Sequence, residues 1–236
     1  MFKNLFPNKI LSLTNKTINN LIILLIVVVA VGLTYSLFLS PPDYIQGDSV
    51  RIMYVHVPSS FIALGFFGFI GAASICNLIF KIKLMPLLAK SIAPIGCTFS
   101  IISIVTGSLW GKPTWGIWWV WDARLTSMIV LLLFYILYIL SWRFINNFEK
   151  ANKVSSVIGI LGSFNLPVIK YSVDWWNTLH QPSSITLTSA PTIHHAMLVP
   201  LIIMLFGLAL FSLIIFLMRY KTEVIKFKIN KKKNYK

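Results

Sequence analysis

Six apolar runs, at about 21–39, 59–80, 91–109, 125–142, 154–169 and 196–218, constrain this chain more than any other feature. Apolar stretches of about 18 residues or more read as membrane-spanning helices. In hydrocarbon every backbone N–H and C=O must find its partner within the structure, and the helices pack against each other rather than around a soluble core. The fifth run is short and carries Asn165 and Pro167. The composition agrees with such a reading: 57% of residues are hydrophobic and 11% charged, whereas soluble domains carry roughly 25% charged residues. An all-α integral membrane fold of six transmembrane helices is expected.

The formal charge of +15 invites a nucleic-acid partner, but the positions of the charges argue against one. They fall between the apolar runs and in the last eighteen residues, without the interleaved aromatics of a nucleic-acid groove. With six spans, 17 of the 21 basic residues collect on the side of the two termini and only Arg51, Lys112, Arg124 and Lys170 on the other. Basic residues mark the inner side, so both termini are expected in the cytoplasm or matrix. Removing the fifth span would put the basic C-terminal tail outside, which is why six spans are preferred to five. The resulting organisation is a basic inner segment 1–20, a membrane domain 21–218 and a basic inner tail 219–236. Residues 1–20 are polar and basic and precede a run long enough to span, so they are not expected to be a cleavable leader.

Cys76 and Cys97 lie within apolar runs, and no C-x-x-C-H exists, so the chain is neither a dithiol oxidoreductase nor a c-type cytochrome. Gly107, Gly111 and Lys112 superficially suggest a phosphate loop. The spacing is one residue short and Pro113 stands where Ser or Thr is needed, which excludes ATP hydrolysis by that route.

The chemistry concentrates in three outer segments, about 40–58, 110–124 and 170–195. They hold, at or near their edges, all four histidines, four of the six acidic residues and seven of the eight tryptophans. Trp110, Trp115, Trp118, Trp119 and Trp121 fall within twelve residues, followed by Asp122 and Arg124. An interfacial aromatic belt would be spread over many helix ends. Five indoles in one loop, its path set by Gly111, Pro113 and Gly116, form instead a platform for a broad planar ligand, and a porphyrin suits it. Arg51, Lys112 and Arg124 could meet the anionic edge of such a ligand, although Arg124 could equally pair with Asp122 or anchor a helix end. His56 at the mouth of the second span and His180 in the third outer segment bracket the platform and could clamp a haem iron from two faces. Adjacent helical residues point about 100° apart, so His194 and His195 cannot both face one ligand, and capping or packing is expected of them.

Trp-Gly-x-x-Trp-Gly-x-Trp-Trp-x-Trp-Asp-x-Arg-Leu-Thr, from Trp110 to Thr126, resembles the tryptophan-rich signature of haem-handling proteins in cytochrome c maturation. Met-Tyr-Val-His56-Val-Pro and Trp-Trp-Asn-Thr-Leu-His180-Gln narrow the resemblance to the haem exporter protein C (CcmC) family, over roughly residues 20–220. The resemblance implies haem b as transported ligand at the outer membrane face, with His56 and His180 as axial ligands and the tryptophan loop around the macrocycle. It also implies delivery to the haem chaperone CcmE beside an ABC-type ATPase, its permease and the small single-span subunit CcmD. The host would be a bacterial inner or a mitochondrial inner membrane, and the chain a transfer protein rather than an enzyme. Two other functions compete. A permease subunit for haem or solute should show polar groups at mid-membrane depth, where the spans have few, and a cytochrome c synthase should be larger.

Overall fold

The computed structural model describes residues 15–82, 84–181 and 190–233, excluding the side chains of 15, 16 and 230–233. Most of the N-terminal segment, Lys83, residues 182–189 of the third expected outer segment and the last three residues of the tail lie outside the described residues. Helix α1 (Asn15–Thr34) runs into a π-helical turn, Tyr35–Leu39. A 3₁₀ turn (Asp48–Ile52) leads into α2 (Met53–Phe80), followed by α3 (Met85–Trp115) and α4 (Ala123–Phe144). The fifth span is made of α5 (Phe148–Ser163) and α6 (Asn165–Trp175), and α7 (His195–Lys233) completes the bundle. Among the described residues six segments are long and apolar enough to cross a membrane, as the apolar runs require.

The helices overrun their apolar runs, and at the tryptophan-bearing end this moves expected loop residues into helices. Helix α2 begins at Met53, so His56 stands in its first turns rather than in a loop. Helix α3 continues through Trp110, Lys112 and Pro113 to Trp115 and stops only where Gly116 adopts φ +80°, its N–H bonded to the Lys112 carbonyl at 3.0 Å. Glycine takes that left-handed conformation without the steric penalty of other residues, which makes it a natural helix stop. Helix α6 carries Lys170, Asp174 and Trp175, which were expected in a loop. The C-terminal tail is helical too: α7 has 39 residues, about 58 Å at 1.5 Å per residue, roughly twice the thickness of a hydrocarbon core.

The break in the fifth span sits at Phe164 and has a local cause. Pro167 has no N–H to offer the Ser163 carbonyl one turn before it. Polar side chains flank the break: Asn165 Nδ2 donates across to the Ser127 carbonyl of α4 at 2.8 Å, and the Ser163 hydroxyl donates back along its own helix to Gly159 O at 2.7 Å.

Helices α2 to α6 form the packed body, with α2 against α3 and α5, and α4 against α3, α5 and α6. Their common core holds Phe67, Ile70, Leu131, Tyr135, Tyr138 and Ile169. Tyr135 donates to the Ala63 carbonyl at 2.6 Å, and its ring occupies the place that a side chain at position 96 would need, so Gly96 is what lets α3 and α4 approach. Helix α1 packs mainly on α7 at the edge. Small residues at such contacts suit helix association in lipid, where apolar burial alone does not drive it.

Candidate functional site

Between α2, α3, α4 and α6, at the tryptophan-bearing end, lies an open cleft of about 800 Å³. It brings together His56 from α2, Trp110 and Trp115 from α3, Trp119 from the following loop, Arg124 from α4, and His180. Six residues expected to act together from sequence therefore share one cavity, although they come from three separate segments.

The two histidines are prepared in the same way. His56 Nδ1 lies 3.0 Å from the Ser103 carbonyl and 3.1 Å from the Thr106 hydroxyl. A carbonyl can only accept, and the Thr106 hydroxyl already donates to Ile102 O at 2.6 Å, so Nδ1 carries the proton. His180 Nδ1 is 2.8 Å from the Gln181 carbonyl and is protonated by the same reasoning. In its neutral form each ring then keeps Nε2 as a lone pair, unengaged among the described residues, the tautomer that a metal ligand needs, held by a carbonyl acceptor on the far side. Burial, and then the Arg124 cation, push the His180 pKa from 6.5 down to about 4, so this imidazole is neutral at physiological pH.

Space for the first ring is made by a glycine. A Cβ at position 107 would stand 2.9 Å from His56 Cε1, so α3 can pass behind the histidine only with Gly107 there. Trp110 meets the His56 ring edge-to-face, with centroids 5.8 Å apart and planes at 75°. Trp115 lies beside His180 at 6.3 Å. Both tryptophans are placed by the extra helical turns of α3, five residues apart along it.

The tryptophan motif is not one flat platform. Trp110, Trp115 and Trp119 line the cleft, while Trp118 and Trp121 point away from it and are 54% and 75% exposed. Trp118 packs instead beneath the Lys112 ammonium, 6.0 Å from the ring centre. Trp119 shows a buried indole N–H with no partner. The motif has an inner face that shapes a cavity and an outer face that shows indoles to the surroundings.

The remaining expected residues have local duties. Asp122 caps α4 by accepting the Leu125 N–H at 2.7 Å, and it does not line the cleft. Such a cap satisfies one of the orphan donors of the helix start. Arg124 faces the cleft with no hydrogen bond or salt bridge among the described residues, although Asp122 and Asp174 lie near enough to favour its charged form. Arg51 is engaged at the end of α1, donating to Asp48 Oδ1 at 3.0 Å and to the Ser36 carbonyl at 2.9 Å. His194 caps α7, its Nδ1 accepting the Ala196 N–H at 3.2 Å, and neither it nor His195 lines the cleft.

Sequence reasoning missed several residues that build the site. Gln46 lines it and accepts the Trp110 indole N–H at 2.8 Å. Ser103, Thr106 and Gly107 fix and accommodate His56. They lie inside an apolar run, where only their spacing of one or two helical turns from Trp110 could have pointed to them.

A family model described as Heme exporter protein C matches residues 2–235. The Heme exporter protein C of Bradyrhizobium diazoefficiens is 37% identical over 220 residues, covering 93% of this chain and 83% of that protein. Its namesake in Haemophilus influenzae is 41% identical over 203 residues, 86% of this chain and 82% of the relative. A ccmC-like mitochondrial protein of Marchantia polymorpha, named for cytochrome c biosynthesis, is 39% identical over 203 residues, 86% of each chain.

Proposed function

The chain belongs to the haem exporter protein C family, and on that footing we propose that it binds haem b as cargo in the cleft and delivers it to the chaperone CcmE. The observation that carries the proposal is that His56 and His180 line one open cleft, each with Nδ1 on a carbonyl and Nε2 unengaged among the described residues. Two neutral imidazoles are a fitting axial pair for iron. Trp110, Trp115 and Trp119 supply flat apolar surface for the macrocycle, and Arg124 is an uncommitted cation for its carboxylate edge.

The basic end of the bundle faces the cytoplasm or matrix, and the cleft opens on the opposite face of a bacterial or mitochondrial inner membrane. The exposed Trp118 and Trp121 are the surface on which CcmE docks, and the ABC-type ATPase, its permease and CcmD assemble around the same bundle. The protein acts as a transfer protein and not as an enzyme; Asp122, the acidic residue nearest the tryptophan motif, is spent on a helix cap.

Cells that lack their own family member, given this chain and CcmE, are expected to accumulate haem-loaded CcmE. Haem-free CcmE in membranes that contain the inserted protein and its haem would overturn the delivery step.

A further inference from the structure

Gln46 reaches the cleft from the turn before α2, and that turn is built with unusual care for a surface segment. The Asp43 carboxylate accepts the N–H of Ile45 at 2.9 Å and of Gln46 at 2.8 Å. Asp43 and Gly47 exchange backbone hydrogen bonds at 3.1 and 3.0 Å, closed by Gly47 at φ +57°. The Ser49 hydroxyl donates to the Gln46 carbonyl at 2.7 Å. Both backbone polar groups of Gln46 are therefore fixed, and its side chain is aimed.

What it is aimed at is the Trp110 indole. An indole nitrogen can only donate, so the amide oxygen faces it, at 2.8 Å. Trp110 in turn stands edge-to-face against His56. Two constraints thus converge on the His56 ring: the Ser103 carbonyl fixes Nδ1, and the Gln46–Trp110 pair bounds the swing of the ring toward the cleft.

We infer that Gln46 is a positioning residue for His56, acting through Trp110 to set the orientation in which Nε2 is offered to the iron. This rests on the haem-binding reading above. The contrasting possibility is a mere tether between turn and helix, since Trp110 also packs against the buried cluster that includes Val50, Met53, Tyr54 and Met197. A tether would leave the electronic environment of the bound iron unchanged.

The test uses the full-length, haem-loaded protein with Gln46→Leu, Gln46→Glu, Trp110→Phe and the Gln46→Leu/Trp110→Phe pair. Two quantities are read: the low-spin electron paramagnetic resonance signature, and the rate of haem loss to apomyoglobin. Outer-shell partners of metal ligands are worth about 10–100-fold in affinity, so Gln46→Leu should speed haem loss about tenfold and shift the low-spin signature. Trp110→Phe, which also trims the flat surface offered to the macrocycle, should lose at least as much, and the double variant no more than Trp110→Phe alone, because the Gln46 bond is already gone. Gln46→Glu keeps the acceptor and should restore the wild-type signature. Should Gln46→Leu fail to accumulate, Trp110→Phe removes the same bond from the other side and decides alone. An unaltered signature in haem-loaded Gln46→Leu, or in Trp110→Phe where it decides alone, would overturn the inference, as would multiplicative effects in the double variant. A wild type that takes up no haem would overturn the haem-binding reading, and this inference with it.

Discussion

The two ends of the bundle treat polar side chains in opposite ways. At the basic end Glu223 is taken by Lys90 at 2.7 Å and Lys226 at 3.6 Å, and Arg219 donates to the Ser91 carbonyl at 3.2 Å. Asn77 donates to Asn152 at 3.0 Å and to Ser156 at 3.2 Å. At the tryptophan end Arg124 has no such partner among the described residues, and His56 and His180 each keep a nitrogen in reserve. Buried indole N–H groups without partners occur at both ends, in Trp119 and Trp142, so an orphaned indole does not separate them. Uncommitted imidazole and guanidinium groups around one cavity do. Polar groups used up in pairs hold helices together, and those left over around a concave surface await a ligand.

Substitutions at the two ends should therefore be separable. The largest effect is expected from the double variant His56→Ala/His180→Ala, which should insert normally but retain no haem by pyridine haemochrome assay. Next comes Glu223→Gln at the other end. It leaves the Lys90 ammonium without its partner and should lower stability in detergent by about 1–2 kcal/mol, less than the 3–5 of a fully buried pair because Lys90 keeps some solvent contact. Haem affinity of the folded fraction should not change. A Glu223→Gln variant that lost haem while still folded would break the division between the ends.

Gly107→Ala should weaken haem retention about tenfold at unchanged stability, the scale of a lost outer-shell contact, because the new Cβ meets the His56 ring at 2.9 Å. The acid edge of haem binding is a finer probe. A proton competes for His180 Nε2 only as pH falls through about 4, so retention should be flat from pH 8 to about 5. The Arg124 cation disfavours the imidazolium, so Arg124→Gln should raise the His180 pKa toward 6.5 and move the edge to higher pH. The smallest effect on retention is expected from Trp118→Ala and Trp121→Ala, which should bind haem as the wild type does yet deliver less of it to CcmE.

The fold was legible because its determinant is one-dimensional. Long apolar runs and the one-sided placement of Lys and Arg need no tertiary information, and even the weak fifth span was recoverable from charge. The limits of the helices were not. Apolarity ends where the membrane ends, whereas the helices run on, α3 to its stop at Gly116 and α7 through Lys233, the last described residue. Gly116 was visible as a helix stop and read only as part of a loop. For the site, the histidines and tryptophans announced themselves by residue type. Their sorting into an inner and an outer face did not, because it depends on how far α3 winds before it ends. Asp122 shows the opposite case, a residue beside a functional motif whose carboxylate serves the backbone of α4.

The central claim is that His56 and His180 together ligate one iron, and electron paramagnetic resonance of the purified, haem-loaded protein tests it most directly. The wild type should give a low-spin ferric spectrum of two nitrogen ligands. His56→Ala and His180→Ala should each convert it to a high-spin or altered low-spin form, with imidazole added to the buffer restoring the original. A low-spin spectrum identical to wild type in both single variants would contradict the claim.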